Sequence, residues 1–159
     1  MGSKTSNTQI KYFDLINDEL VLIAPIDLNI DNDNGYIYID ELNKLKFIMR
    51  KEGSGTRNLT FNILKGHNFN INNLNILAYV ESNETIKEMV KIGLGVSFIS
   101  YKSAKDYIKN NKLKFYRVKN INFARKFYFI YSKKKAFSPL ENKFLSSLCE
   151  YFDIKREID

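Results

Sequence analysis

NILAYVESNETIKEMVKIGLGVSFIS, residues 75–100, decides the fold. NILAYV is a short apolar run of strand character. Ser82 is placed to cap a helix that follows, and Glu84 favours its positive end. Ile86, Met89 and Val90 share one face of that helix, and Gly93 ends it. GVSFIS, 95–100, is strand again. A strand, a helix and a strand in so short a span is the signature of an α/β fold with a largely parallel sheet.

The same alternation extends outward. ELVLIAP, 19–25, reads as a buried strand closed by a proline, and residues 26–39 are irregular, with turn residues in NIDNDNG. Asp40 is placed to cap a short helix, ELNKL, whose Leu42 and Leu45 share a face. KFIM, 46–49, is a strand running into RKEGSGTRNLTF, 50–61. There Ser54 is an N-cap candidate, Leu59, Ile63 and Leu64 have helical spacing, and Gly66 is the expected stop. Downstream come a helix over about 102–109, the strand LKFYRV, and the strand RKFYFIYSKK at 125–134. SPLE, 138–141, combines a capping box (Ser138, Glu141) with proline at the first helical position. Leu140, Phe144, Leu145, Leu148 and Phe152 form the expected inner stripe of the final helix.

Composition excludes several classes. The chain has 159 residues, 44% of them hydrophobic, enough for a compact domain or two small lobes. No apolar run reaches the ~20 residues of a membrane span, and MGSKTSNTQIKYF lacks the apolar core of a secretory signal. The expected setting is cytoplasmic. The single cysteine, Cys149, precludes an internal disulfide and reads as a small core residue. Of the net charge of +7, residues 101–159 carry more than all. Their lysines alternate with apolar positions, as on a solvated face around a core. FYFIY lacks the interleaving of an RNA-binding strand and reads as core.

The chemistry concentrates in two places. Ser54, Gly55, Thr56 and Arg57 open one helix; Ser82 and Asn83 open the next. Helix N-termini present unpaired N–H groups and a positive dipole end. Hydroxyls add donors, glycine permits close approach, and arginine pairs with two anionic oxygens. In parallel α/β sheets both mouths open at one edge, where ligands gather. The set therefore suits a small anion or carboxylate. Ordinary helix capping beside a surface arginine is the plainer reading of the same residues. No metal set is expected: His67 is the only histidine, and a calcium loop around Gly35 would put Ile30 at its first ligand position. GLG at 93–95 is a helix stop and tight turn rather than a dinucleotide fingerprint. No catalytic residues are expected.

DELVLIAP, FIMRKEGSGTR, NILAYVESNETIKEMVKIGLGVSFIS and RKFYFIYSKKKAFSP, in this order, resemble the effector-binding domain of LysR-type transcriptional regulators over about residues 10–153. The resemblance implies a type 2 periplasmic-binding-protein-like fold: two α/β lobes, two crossing strands, mostly parallel sheets with flanking helices, and an effector in the interlobe cleft. By resemblance, residues 26–130 are the complete second lobe, 1–25 and about 131–159 are a partial first lobe, and ELVLIAP is the region of the first crossing. Ser54, Gly55, Thr56, Arg57, Ser82 and Asn83 would be the second lobe's share of an anion site. The helix-turn-helix of the family is absent from this sequence, as is the start of its effector domain. The implied partners are a small anionic effector, a second copy in a homodimer, and DNA only through a separate helix-turn-helix domain. No cofactor is implied. An extracytoplasmic solute-binding protein for a phosphate-like anion is the alternative, and an enzyme of small acids on the same scaffold is a third reading that lacks an acid–base pair.

Overall fold

The computed structural model describes residues 8–30, 35–134 and 136–152. MGSKTSN and most of NIDNDNG, with the proposed and rejected readings that fall on them, lie outside the described residues. The chain divides into two compact units, one made of Met1–Asp18 with Arg125–Asp159 and the other of Glu19–Ala124. It passes from the first unit to the second just before ELVLIAP, which therefore belongs wholly to unit two.

Unit two is built on ELVLIAP. β1 (Ile10–Ala24) is longer than its apolar part suggests, and residues 20–24 of it are buried. It lies between β5 (Ser97–Ser100) and β6 (Lys114–Val118), antiparallel to both. The short β2 (Tyr36–Ile37) adds to β6 in parallel. β3 (Lys46–Arg50) and β4 (Asn75–Val80) form a parallel pair. The parallel pairings of the α/β pattern are thus present, and β1 makes the sheet mixed.

Val96 joins the two sets of strands. Its N–H donates to Lys46 O at 2.8 Å and its carbonyl accepts from Ile48 N–H at 2.9 Å, a parallel bridge opposite Phe47. The chain passes β3 so closely here that a Cβ on residue 95 would lie 2.5 Å from Lys46 O. Glycine at this position is a requirement of the pairing, whereas the sequence suggested only a tight turn.

Strand alternation separates two cores. Phe47 and Met49 of β3 join one cluster with Leu64 of α1 (Gly55–Gly66). Ile48 points the other way, into a cluster with Ile86 and Val90 of α2 (Asn83–Lys91) and Ala104 of α3 (Tyr101–Lys109). So α1 covers one face of β3, and α2 and α3 cover the other. Lys87 of α2 is buried as well, which helical spacing did not suggest. Its ammonium meets Glu84 Oε1 at 2.7 Å and Ser103 O at 3.1 Å, and lies 4.6 Å from the Tyr107 ring centroid. Three favourable partners offset its desolvation.

Two expected helix ends shift. The ELNKL helix is a 3₁₀ helix over Ile39–Lys44 with Tyr38 at its N-cap, not Asp40. Glu41 reaches back to accept from Tyr38 N–H at 2.8 Å, which moves the start upstream and leaves Asp40 in the first turn. At the end of α1, Gly66 remains helical and Asn68, at φ +59°, makes the left-handed turn. His67 is exposed at the C-cap.

Unit one comprises residues 10–18 of β1, the paired β7 (Ala124–Ser132) and α4 (Pro139–Tyr151). Arg125 donates to Asp18 Oδ2 at 2.7 Å, with side chains 10% and 0% exposed. The capping box forms as read: Ser138 Oγ accepts from Glu141 N–H, and Glu141 Oε2 accepts from Ser138 N–H. The inner stripe of α4 is narrower than expected. Leu145 and Cys149, one turn apart, are buried, but Leu140 and Phe144 are 77% and 60% exposed. Those two lie about 140° round the helix from the buried pair, and Phe144 meets the Phe129 ring of β7 at 6.4 Å between centroids.

Gly95→Ala is expected to lower stability by about 1–3 kcal/mol, the scale of overpacking. Urea unfolding checks this; an unchanged midpoint would mean that β3 and Val96 separate without cost.

Candidate functional site

β3 and β4 end together, with Arg50 opposite Val80. The helices that follow lie on opposite faces of the sheet but begin at this one edge, where ligands gather in open α/β sheets. The pairing continues one bond further, with Lys51 N–H donating to Val80 O at 3.1 Å. The chain then turns: Ser54 N–H donates to Lys51 O at 3.2 Å, and Gly53 has φ +81°. A left-handed third residue is what a type II turn demands. Gly53 therefore serves the turn, while Gly55 starts α1 with open space beside its Cα.

Ser54 occupies the N-cap with extended backbone, but its side chain makes no capping hydrogen bond. The expectation that its hydroxyl caps α1 is corrected on that point. The backbone is poised for capping and the hydroxyl is not turned onto the N–H groups. The first intrahelical bond runs from Asn58 N–H to Ser54 O at 3.0 Å. The N–H groups of Gly55, Thr56 and Arg57 come before it. Thr56 is buried, and its carbonyl accepts from the Thr60 hydroxyl at 2.9 Å.

The second mouth behaves as the sequence suggests. Ser82 Oγ accepts from Glu84 N–H at 3.2 Å and Thr85 N–H at 3.4 Å. Its oxygen is engaged, leaving the hydroxyl proton to donate. Asn83, the first residue of α2, accepts at Oδ1 from Arg50 Nη1 at 2.6 Å. Arg50 thus ties the end of β3, which leads to the first mouth, to the residue that opens the second. Beside it Lys51 and Glu81 pair at 2.7 Å. The donating ammonium of Lys51 holds the Glu81 carboxyl below its ordinary value.

Arg57 takes a different direction. Its guanidinium carbon lies 5.2 Å from the Phe61 ring centroid and 5.0 Å from that of Tyr79. This double cation–π contact draws it over the surface between α1 and β4. There it lines a depression with Glu52, Asn58, Phe61 and Lys65 that includes neither Ser82 nor Asn83. Phe61, one turn along from Arg57, was the available signal for this. Arg50, the link between the mouths, went unread. Its signal was a cation at the last position of a strand that leads directly into a Ser–Gly–Thr run.

Two helix N-termini and the Arg50 guanidinium bring positive charge to this edge, beside the carboxylates of Glu52, Glu81 and Glu84. Chemically it offers donors: the Ser54 hydroxyl, backbone N–H groups at the start of α1, and the Asn83 amide. Among the described residues no group of three or more histidine, cysteine or acidic side chains is placed to hold a metal.

The family model described as LysR substrate binding domain matches residues 1–153. The transcriptional activator CmpR of Synechocystis is 30% identical over 93% of this chain and 47% of its own length. The RuBisCO operon transcriptional regulator of Allochromatium vinosum is 27% identical over 91% of this chain and 46% of its own. The chain spans about half the length of the curated relatives it matches. Among solved structures, the CcmR regulatory domain of Synechocystis, in complex with 2-PG, superposes with a TM-score of 0.84 at 25% identity, covering 96% of this chain and 71% of that one. The effector binding domain of QuiR, in complex with shikimate, shares the fold with a TM-score of 0.80 at 20% identity, covering 95% of this chain and 69% of that one.

The two serines are expected to differ in stability. Ser82→Ala should cost about 1 kcal/mol, the usual loss of a cap, and Ser54→Ala no more than about 0.5 kcal/mol. Denaturant unfolding of both variants checks this; equal losses would show that Ser54 caps α1 in solution.

Proposed function

The chain belongs to the family of LysR substrate-binding domains, and from that we propose that it senses a small anionic metabolite for a LysR-type transcriptional regulator, binding it at the mouths of α1 and α2. Ser54, Gly55, Thr56, Ser82 and Asn83 contact the ligand in this reading. The observation that carries it is the Ser54 hydroxyl, which makes no capping bond, ahead of a helix whose first N–H groups precede its hydrogen-bond ladder. Donors at a positive helix end favour carboxylate or phosphate oxygens. The CcmR regulatory domain is seen with 2-PG and the QuiR effector binding domain with shikimate, both small molecules. Arg57, held over two rings, is left out of the ligand shell.

The role is binding, not catalysis: the matched relatives are transcriptional regulators. That also disfavours the extracytoplasmic solute-binding alternative. In the proposed whole protein, DNA is contacted by a helix-turn-helix domain in the part of the relatives that this chain does not span, and the setting is cytoplasmic. Two copies associate, which the exposed Leu140 and Phe144 of α4 support. Ligand occupancy then shifts a conformational equilibrium and is read out through the DNA-binding domains.

Calorimetry with 2-PG, shikimate and inorganic phosphate tests the reading. At least one is expected to bind, and Ser54→Ala should weaken it about tenfold, the scale of a lost hydrogen bond to a charged group. If none of the three binds, or if Ser54→Ala with Ser82→Ala leaves affinity unchanged, the reading of these helix mouths as the site for such an anion fails.

A further inference from the structure

We propose that Arg50 is a positioning residue which fixes the orientation of the Asn83 amide, so that Asn83 can meet a ligand only as a donor and selects an acceptor oxygen over a donor group. This rests on the reading of the two helix mouths as the ligand site. A guanidinium carries N–H donors and no acceptor, whereas an asparagine side chain carries one of each. With Arg50 Nη1 2.6 Å from Asn83 Oδ1, the reverse orientation would set an NH2 group against the cation. The amide flip is therefore decided by chemistry, without appeal to how oxygen and nitrogen were assigned. The Asn83 NH2 group has no partner among the described residues, and it sits at the first position of α2, beside the positive helix end. Arg50 Nε is buried and also lacks a partner among the described residues. The side chain thus makes one directed bond at Asn83 and leaves its remaining charge at the mouth.

Asn83→Asp separates this role from a structural one. A carboxylate accepts from Arg50 at least as well as the amide does, so the link between β3 and α2 survives. What disappears is the donor, and a negative charge takes its place. The thermal midpoint is expected at or above that of the wild-type chain, while affinity for 2-PG and inorganic phosphate falls about tenfold or more. Equal anion affinity in Asn83→Asp and wild type would overturn the inference. A second arm needs no ligand. In ¹H–¹⁵N spectra of the labelled chain, the Asn83 side-chain NH2 resonances are expected to move in Arg50→Met. If they do not, Arg50 does not hold the amide, and the inference falls. A wild-type chain that takes neither anion overturns the reading of the site, and the spectral arm then judges the hold of Arg50 on Asn83 separately.

Discussion

Two backbone hydrogen bonds join the two sheets of unit two. Val96 donates to Lys46 O and accepts from Ile48 N–H, and through it the β3–β4 pair joins β5, β1 and β6. The approach leaves no room for a side chain at Gly95. Because β3 is locked in this place, its alternation sends Phe47 and Met49 to one core and Ile48 to the other. The two helices then fall on opposite faces with both N-termini at the same edge. The proposed site is in that sense a product of strand order: the parallel β3–β4 pair brings both strand ends, and so both helix mouths, to one edge.

The parts legible in the sequence were those governed by local rules. NILAYV is β4 to the residue, Ser82 caps α2, and SPLE folds as a capping box. Each follows from side chains acting on their own neighbours. The failures involve distance. Residues 10–18 of β1 are interrupted by Asp14, Asn17 and Asp18, so their strand character depends on pairing with β7 and on the Arg125–Asp18 ion pair across 107 residues. Burial of Lys87 depends on Ser103 and Tyr107 from another helix. The apolar spacing of α4 did not reveal how little of the helix β7 covers, which leaves Leu140 and Phe144 exposed.

The site divides along the same line. That Ser54–Thr56 and Ser82–Asn83 would open at one edge followed from the strand–helix alternation. That Arg50 would link them did not, since residues 33 apart in sequence meet only once β3 and β4 are paired. Arg57 was read by residue type, as an anion partner. The structure lays it over two aromatic faces, one from its own helix and one from β4. Stacking engages the face of a guanidinium and leaves its in-plane N–H donors, so the rings account for where Arg57 lies.

A small anion held at the two helix mouths, as proposed, should be visible when the labelled chain is titrated with 2-PG and backbone ¹H–¹⁵N resonances are followed. The largest changes are expected at Gly55, Thr56 and Asn83, with little change at Phe61 and Lys65. Changes centred on Phe61 and Lys65, with Gly55 and Asn83 unmoved, would place binding at the Arg57 surface and contradict the proposal.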